Sequence, residues 1–138
     1  MEMKNFFPYT TPCYLIFAIC YLIPMTFLPE NIFLKIIAGD IPSEKIYESE
    51  TVLAFKDIRP KAAHHILIIP KKEITTLMDA QDEDAQLLGQ LLLAANQVAQ
   101  KLGLEGYKIH VNVGEKGGQV VPHLHLHILS PDYQSTIG

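Results

Sequence analysis

Three histidines occupy alternate positions near the C-terminus, in Pro122-His123-Leu124-His125-Leu126-His127-Ile128-Leu129. In an extended chain the side chains at i, i+2 and i+4 share a face, so the spacing predicts a strand with three imidazoles on one side and Leu124, Leu126 and Ile128 in the core. Histidines without chemistry rarely fall at strict period two, and two chemistries use such a row. One is metal ligation, since imidazole is a common transition-metal ligand. A flat strand separates the outer Cα atoms by ~13 Å, against Zn–N bonds of ~2.0–2.1 Å, so all three rings cannot meet one ion. Two of them with His65 or His110 could. The other chemistry is nucleophilic catalysis, in which a central imidazole attacks while its neighbours hold its tautomer and bind or protonate the reacting group. A histidine nucleophile suits phosphorus, because the N–P bond it forms is labile enough to be hydrolysed in a second step. Gly117-Gly118-Gln119 precede the row, and glycines there would let backbone N–H groups approach an anion, although a plain hairpin turn reads the same way.

These residues need elements to position them. Ile32, Phe33, Ile36 and Ile37 make a short helical stripe that stops at Gly39, and Ile41-Pro42-Ser43 forces an extended or turn segment. Thr51 to Phe55 is rich in β-formers and ends at Asp57-Ile58-Arg59-Pro60, while His65 to Ile69 is a continuous apolar strand closed by Pro70, which implies burial on both faces. The one long helix falls between Asp79 and Leu102, with acidic residues crowding its start and Gly103 at its end. Tyr107 to Val113 and His123 to Leu129 alternate with period two around a turn at Gly114, Gly117 and Gly118. Two antiparallel hairpins flanking a helix predict an α+β domain with the helix packed on one face of the sheet.

Composition narrows the classes. The chain has 138 residues, a length for one domain, and a net charge of -4 argues against a basic, phosphate-tracking nucleic-acid binder. An apolar content of 49% excludes disorder, and two cysteines without a CxxC pair exclude a disulfide scaffold or a four-thiolate zinc site. The first 30 residues hold 19 apolar residues and both cysteines, Cys13 and Cys20, so the apolar excess belongs to this leader. Cys13 to Ile23 has the length of a signal-peptide core, but the flanking charge and cleavage site are poor. Pro12 to Leu28 reaches the lower limit for a bilayer span. A third reading makes the segment an extension outside the working domain, with translation starting at Met25. In each case the chemistry lies after residue 30.

Taken together, Asn31 to Pro42, Ala54-Phe55-Lys56-Asp57-Ile58-Arg59-Pro60, His65-Ile66-Leu67-Ile68-Ile69-Pro70-Lys71, Gly117-Gly118-Gln119 and the alternating histidines resemble the histidine-triad (HIT) superfamily. The match is nearest its nucleotide-binding branch, which hydrolyses purine nucleoside phosphoramidates, and it covers residues 31 to about 130. The resemblance implies a HIT-like α+β fold: an antiparallel sheet of about five strands, one long helix and one short N-terminal helix, with the sheet continued across a homodimer through the long helix and the Tyr107–Val113 strand. It divides the chain into a leader (1–30), a HIT domain (31–130) and an irregular tail (131–138).

The resemblance further implies that His125 attacks the α-phosphorus, expels an amine and forms a nucleotidyl-histidine that water hydrolyses. His123 and His127 would orient it and contact phosphate or leaving group, and His65 would complete a proton network. Asp57 would accept hydrogen bonds from the ribose; Ile32, Phe33, Ile36, Phe55 and Ile58 would sandwich the purine; Asn112, Gly118 and Gln119 would contact phosphate, with Val120 standing where many members carry a polar residue. Asn31 and Leu34 occupy positions that some relatives fill with zinc-binding cysteines, so no metal and no cofactor is expected, and His64 and His110 match no required role. The expected partner is a purine nucleotide or nucleoside phosphoramidate, with no nucleic acid, in the cytoplasm or on a membrane if the leader is retained. A dinucleoside polyphosphate hydrolase or nucleotidyl transferase, a non-catalytic nucleotide-binding module and a metal-dependent hydrolase are the alternatives. An imidazole near its reference pKa of ~6.5 would make the reaction weaken below about pH 6.

Overall fold

In the computed structural model, residues 30–130 are described; the expectations for the leader and for the tail after Ser130 fall outside the described residues. Helix α1 (Ile32–Ala38) starts where the Asn31 side chain accepts hydrogen bonds from the Phe33 and Leu34 N–H groups. It ends at Gly39, whose φ of +84° is a left-handed conformation that glycine adopts without penalty. Three strands follow: β1 (Lys45–Glu48), β2 (Val52–Lys56) and β3 (His64–Pro70). The acidic stretch Asp79–Asp84 forms 3₁₀ turns rather than the first turn of the long helix, and α2 begins at Ala85 and runs to Leu102. The Asp84 carboxylate accepts from the Gln81 N–H and from Lys72, which ties this entry down. Gly103, at φ +66°, closes α2. Strands β4 (Lys108–His110) and β5 (Leu126–Ser130) complete a five-stranded antiparallel sheet in the order β1-β2-β3-β5-β4. The two hairpins therefore join through β3 and β5, so that His65 pairs with Leu129 and Leu67 with His127.

The sheet has two unlike faces. Val52 and Ala54 of β2, Ile66 and Ile68 of β3, and Leu126 and Ile128 of β5 pack on Leu91, Ala94, Ala95 and Val98 of α2. Leu53, Phe55, Leu67 and Ile69 point the other way and pack with Phe33 and Ile36 of α1. Because β3 is covered on both faces, its continuous apolar run is satisfied on each side, as the sequence implied. Each fully buried aliphatic side chain contributes roughly 1.5–3 kcal/mol of transfer free energy. Only one stripe of α2 is buried: Leu92 and Leu93 stay 53% and 63% exposed. Among the described residues no helix is long and apolar enough to cross a membrane.

Two strands are shorter than the period-two pattern indicated. β5 begins at Leu126, so His123 and His125 precede it, and β4 stops at His110 instead of reaching Val113. The cause is a change of pairing partner. Ahead of Leu126 the chain leaves β3: the His123 N–H turns back to the Val121 carbonyl (2.8 Å), and the Leu124 N–H donates to the Ile74 carbonyl (2.7 Å). With β5 gone, β4 has no neighbour to extend against beyond the His110–His127 pair. The side-to-side alternation nevertheless survives the loss of the strand. Leu124 still enters the core under α2, and His123 and His125 still lie with His127 on the α1 side.

Candidate active site

The histidines assemble from three elements: His65 from β3, His127 from β5 and His123 and His125 from the bent approach to β5. His123 is the most deeply placed, with 0% exposure. Its Nε2 lies 2.8 Å from the Pro70 carbonyl and its Nδ1 2.8 Å from the Asn31 side-chain amide. A carbonyl only accepts, so Nε2 carries the hydrogen and Nδ1 accepts from Asn31. His125 places Nδ1 2.6 Å from the backbone carbonyl of His123, which by the same logic puts its hydrogen on Nδ1 and the lone pair on Nε2. No described residue hydrogen-bonds to that Nε2, so among the described residues its lone pair is unused.

A second chain of bonds runs through His65. The Lys61 N–H donates to His65 Nδ1 (3.0 Å), so His65 bears its hydrogen on Nε2, which faces His127 Nδ1 at 2.9 Å and the Asp57 carboxylate at 3.2 Å. Asp57 in turn accepts from the Arg59 N–H through its other oxygen. His127 thus accepts at Nδ1 and, when neutral, bears its hydrogen on Nε2. Asp57, His65 and His127 keep their donor atoms within 4.8 Å of one another, a spacing that suits a metal. The wiring opposes it. To ligate through Nε2, His65 would have to move its hydrogen to Nδ1, where the Lys61 N–H already points; ligating imidazoles instead donate their second N–H outward.

Burial sets the charge state. It pushes His65, His123 and His125 below the ordinary imidazole range, against the raising effects of Asp57 on His65 and of the backbone carbonyls on the other two. His127 is pushed down to about 3, by burial first and then by the neighbouring His125, His65 and His110 rings and Lys61. The rings are therefore neutral at neutral pH, and His125 keeps its lone pair to a lower pH than an ordinary imidazole. This displaces the expected weakening below about pH 6, which assumed a folded value near the reference.

The other residues singled out by sequence divide into three groups. Phe33 packs edge-on against His125 and His123, with ring centroids 5.1 and 6.2 Å away, and against Phe55 at 5.6 Å. Phe33, Ile36 and Phe55 are buried, whereas Ile32 is half-buried and Ile58 is 44% exposed, so these two offer surface to a ligand and the others back them. In the loop before the triad, the N–H groups of Gly117, Gly118 and Gln119 donate to Gly114 and Glu115 carbonyls inside the turn itself. The Asn112 amide donates to the Gly117 carbonyl. Gln119, only 2% exposed, accepts from the Gly114 N–H and donates to the Thr75 and Val121 carbonyls, so its side chain braces the loop. Val120 packs on the α1-side core.

Sequence reasoning missed two participants. Asn31 entered only as a position that some relatives fill with a zinc-binding cysteine, and its bond to a residue 92 positions away was not legible. His110, exposed on the edge strand, stands opposite His127 with its ring edge-on at 5.7 Å. Its place in the last register pair of β4 is the signal that would have found it.

His123 and His125 on the approach to β5 and His127 within it, set on one side of the sheet with a fourth histidine behind them, define the histidine-triad class, and the chain belongs to that family. Residues 30–138 match the family model described as "Scavenger mRNA decapping enzyme C-term binding". An uncharacterized HIT-like protein of Synechococcus elongatus is 48% identical over 101 residues, covering 72% of this chain and 89% of that protein. The crystal structure of a HIT family hydrolase from Legionella pneumophila superposes with a TM-score of 0.74 at 44% identity, over 78% of this chain and 98% of that one. A histidine triad nucleotide-binding protein from Candida albicans gives 0.66 at 31% identity, over 79% and 86%.

Proposed function

We propose that the protein is a metal-independent hydrolase that cleaves the P–N bond of purine nucleoside 5′-phosphoramidates through a nucleotidyl intermediate on His125. One observation carries the reading: His125 engages Nδ1–H with the His123 carbonyl at 2.6 Å while its Nε2 lone pair has no partner among the described residues. Nε2 forms a bond to the α-phosphorus as the P–N bond of the substrate breaks. The departing amine takes the electron pair and a proton from solvent, and the positive charge arising on the imidazole is stabilised by the carbonyl at Nδ1. Water then attacks the nucleotidyl-histidine, releasing the nucleoside monophosphate and the free ring. His127 bears its hydrogen on Nε2 and is the ring donor for a phosphoryl oxygen, held in that tautomer by His65.

Asp57 has lone pairs beyond those used by Arg59 and His65 and sits partly exposed, which suits it to the ribose hydroxyls. Ile32 and Ile58 supply apolar surface for the base. The hydrolase and nucleotide-binding names of the Legionella and Candida proteins support the same assignment. Leu92 and Leu93 on α2, with the exposed Ile109 on β4 at the end of the sheet, suit a homodimer.

The test is turnover of a fluorogenic adenosine phosphoramidate by the purified protein with EDTA, beside a dinucleoside polyphosphate. Amine release that persists with chelator and vanishes in His125→Ala supports the assignment. Binding without turnover identifies a nucleotide-binding module, loss of activity with EDTA a metal enzyme, and preference for the polyphosphate a different leaving group.

A further inference from the structure

Asn31 does more than cap a helix. Its Oδ1 accepts from the N–H groups of Phe33 (3.1 Å) and Leu34 (3.3 Å), which turns its amide nitrogen away from α1. That nitrogen lies 2.8 Å from His123 Nδ1. His123 is held at its other nitrogen by the Pro70 carbonyl, and its own backbone carbonyl receives the Nδ1–H of His125. One amide thus links the start of α1 to the residue whose carbonyl fixes the tautomer of the attacking ring. The link also sets Phe33, two residues on, edge-on against both imidazoles.

The residue type is what the position demands. It needs an acceptor for two backbone N–H groups and a donor on the opposite side, at the reach of a two-carbon side chain. Aspartate caps equally well but has no donor, and serine caps but is too short to reach across. Facing a carbonyl at Nε2 and a carboxylate at Nδ1, His123 would be drawn to the doubly protonated form.

We propose that Asn31 is a positioning residue for His125: by donating to Nδ1 of His123 it holds that ring in its Nε2–H form and keeps the His123 carbonyl on Nδ1 of His125. This rests on the reading of His125 as the nucleophile.

Asn31→Asp and Asn31→Ser separate this role from capping, because both retain a good N-cap. With the thermal midpoint close to that of the wild type, kcat for the phosphoramidate should fall on the order of ten- to a hundredfold, as for partners that orient a functional histidine through its second nitrogen. KM should change by less than about threefold, since the nucleotide surfaces are untouched. Imidazole ¹⁵N NMR should show His123 Nδ1 passing from lone-pair bearing to protonated in Asn31→Asp. Asn31→Ala, which loses cap and donor together, calibrates how far activity follows stability alone. Wild-type kcat in both capped variants overturns the proposal, as does a loss that merely tracks the thermal midpoint across all three. If no phosphoramidate is turned over even by the wild type, the nucleophile reading fails by itself. The NMR comparison then decides the positioning role: an unchanged His123 in Asn31→Asp rejects it, and a protonated one supports it.

Discussion

The two faces of the sheet are built on opposite terms. Under α2, the buried residues of β2, β3 and β5 are aliphatic apart from Ser130 at the end of β5, and that face needs little more than volume and shape. Under α1, the apolar residues Phe33, Leu53, Phe55 and Leu67 share their layer with the buried His65, His123 and His125 and the half-buried His127. Each of these four rings has a hydrogen-bond partner, yet burial still works against its charging. One face supplies stability and the other uses part of it to hold neutral, oriented imidazoles. The difference teaches that substitutions of similar volume should act on different observables depending on which side of the sheet they fall.

The largest separation should come from His125→Ala. Turnover should fall by at least ~10³-fold, as for removal of a nucleophile, with little change in unfolding free energy. On the opposite face, Leu91→Ala should cost about 2–5 kcal/mol in chemical denaturation through the cavity it leaves, while the remaining folded protein keeps its kcat. Activity lost from Leu91→Ala without loss of stability would break the comparison.

Acid should unfold the protein from the histidine side. The folded pKa of His127 is depressed below its unfolded value, so the stability it confers is complete above the unfolded value and is lost as pH falls toward the folded one. Between pH 7 and pH 5 the unfolded chain binds a proton there that the folded chain does not, which lowers stability by about 2 kcal/mol for this ring alone. Urea titrations of the wild type and His127→Gln should show the pH slope flatten in the variant. Because burial also depresses His125, the acid limb of kcat should lie below pH 6.5, measured at temperatures where the chain stays folded. The smallest effect concerns the exposed helix face. Leu93→Asp should change stability within the chain by no more than ~0.5 kcal/mol, yet shift a dimer toward monomer in size-exclusion chromatography with light scattering.

Much of this was written in the sequence, and the exceptions have a common cause. The helical stripe ending at Gly39, the doubly buried run of β3 and the α+β class follow from local pattern, because alternation and punctuation are properties of neighbouring residues. The triad's shared face was legible for the same reason, and it persists although β5 starts only at Leu126. Where the chain changes partner could not be read. The bond from Leu124 to Ile74, the truncation of β4 and the bracing of the glycine loop by Gln119 depend on pairings across tens of residues. The depressed imidazoles escaped for the same reason, since burial is a property of the assembled face and not of the histidine.

The most direct measurement is a chemical quench of the protein mixed with excess adenosine phosphoramidate, followed by intact-mass and peptide mass spectrometry. One adenylyl group should appear on the peptide bearing Pro122-His123-Leu124-His125, form and decay at rates compatible with kcat, and be absent from His125→Ala. Sustained turnover with no trapped adduct, or an adduct that survives His125→Ala, would contradict nucleophilic catalysis by His125.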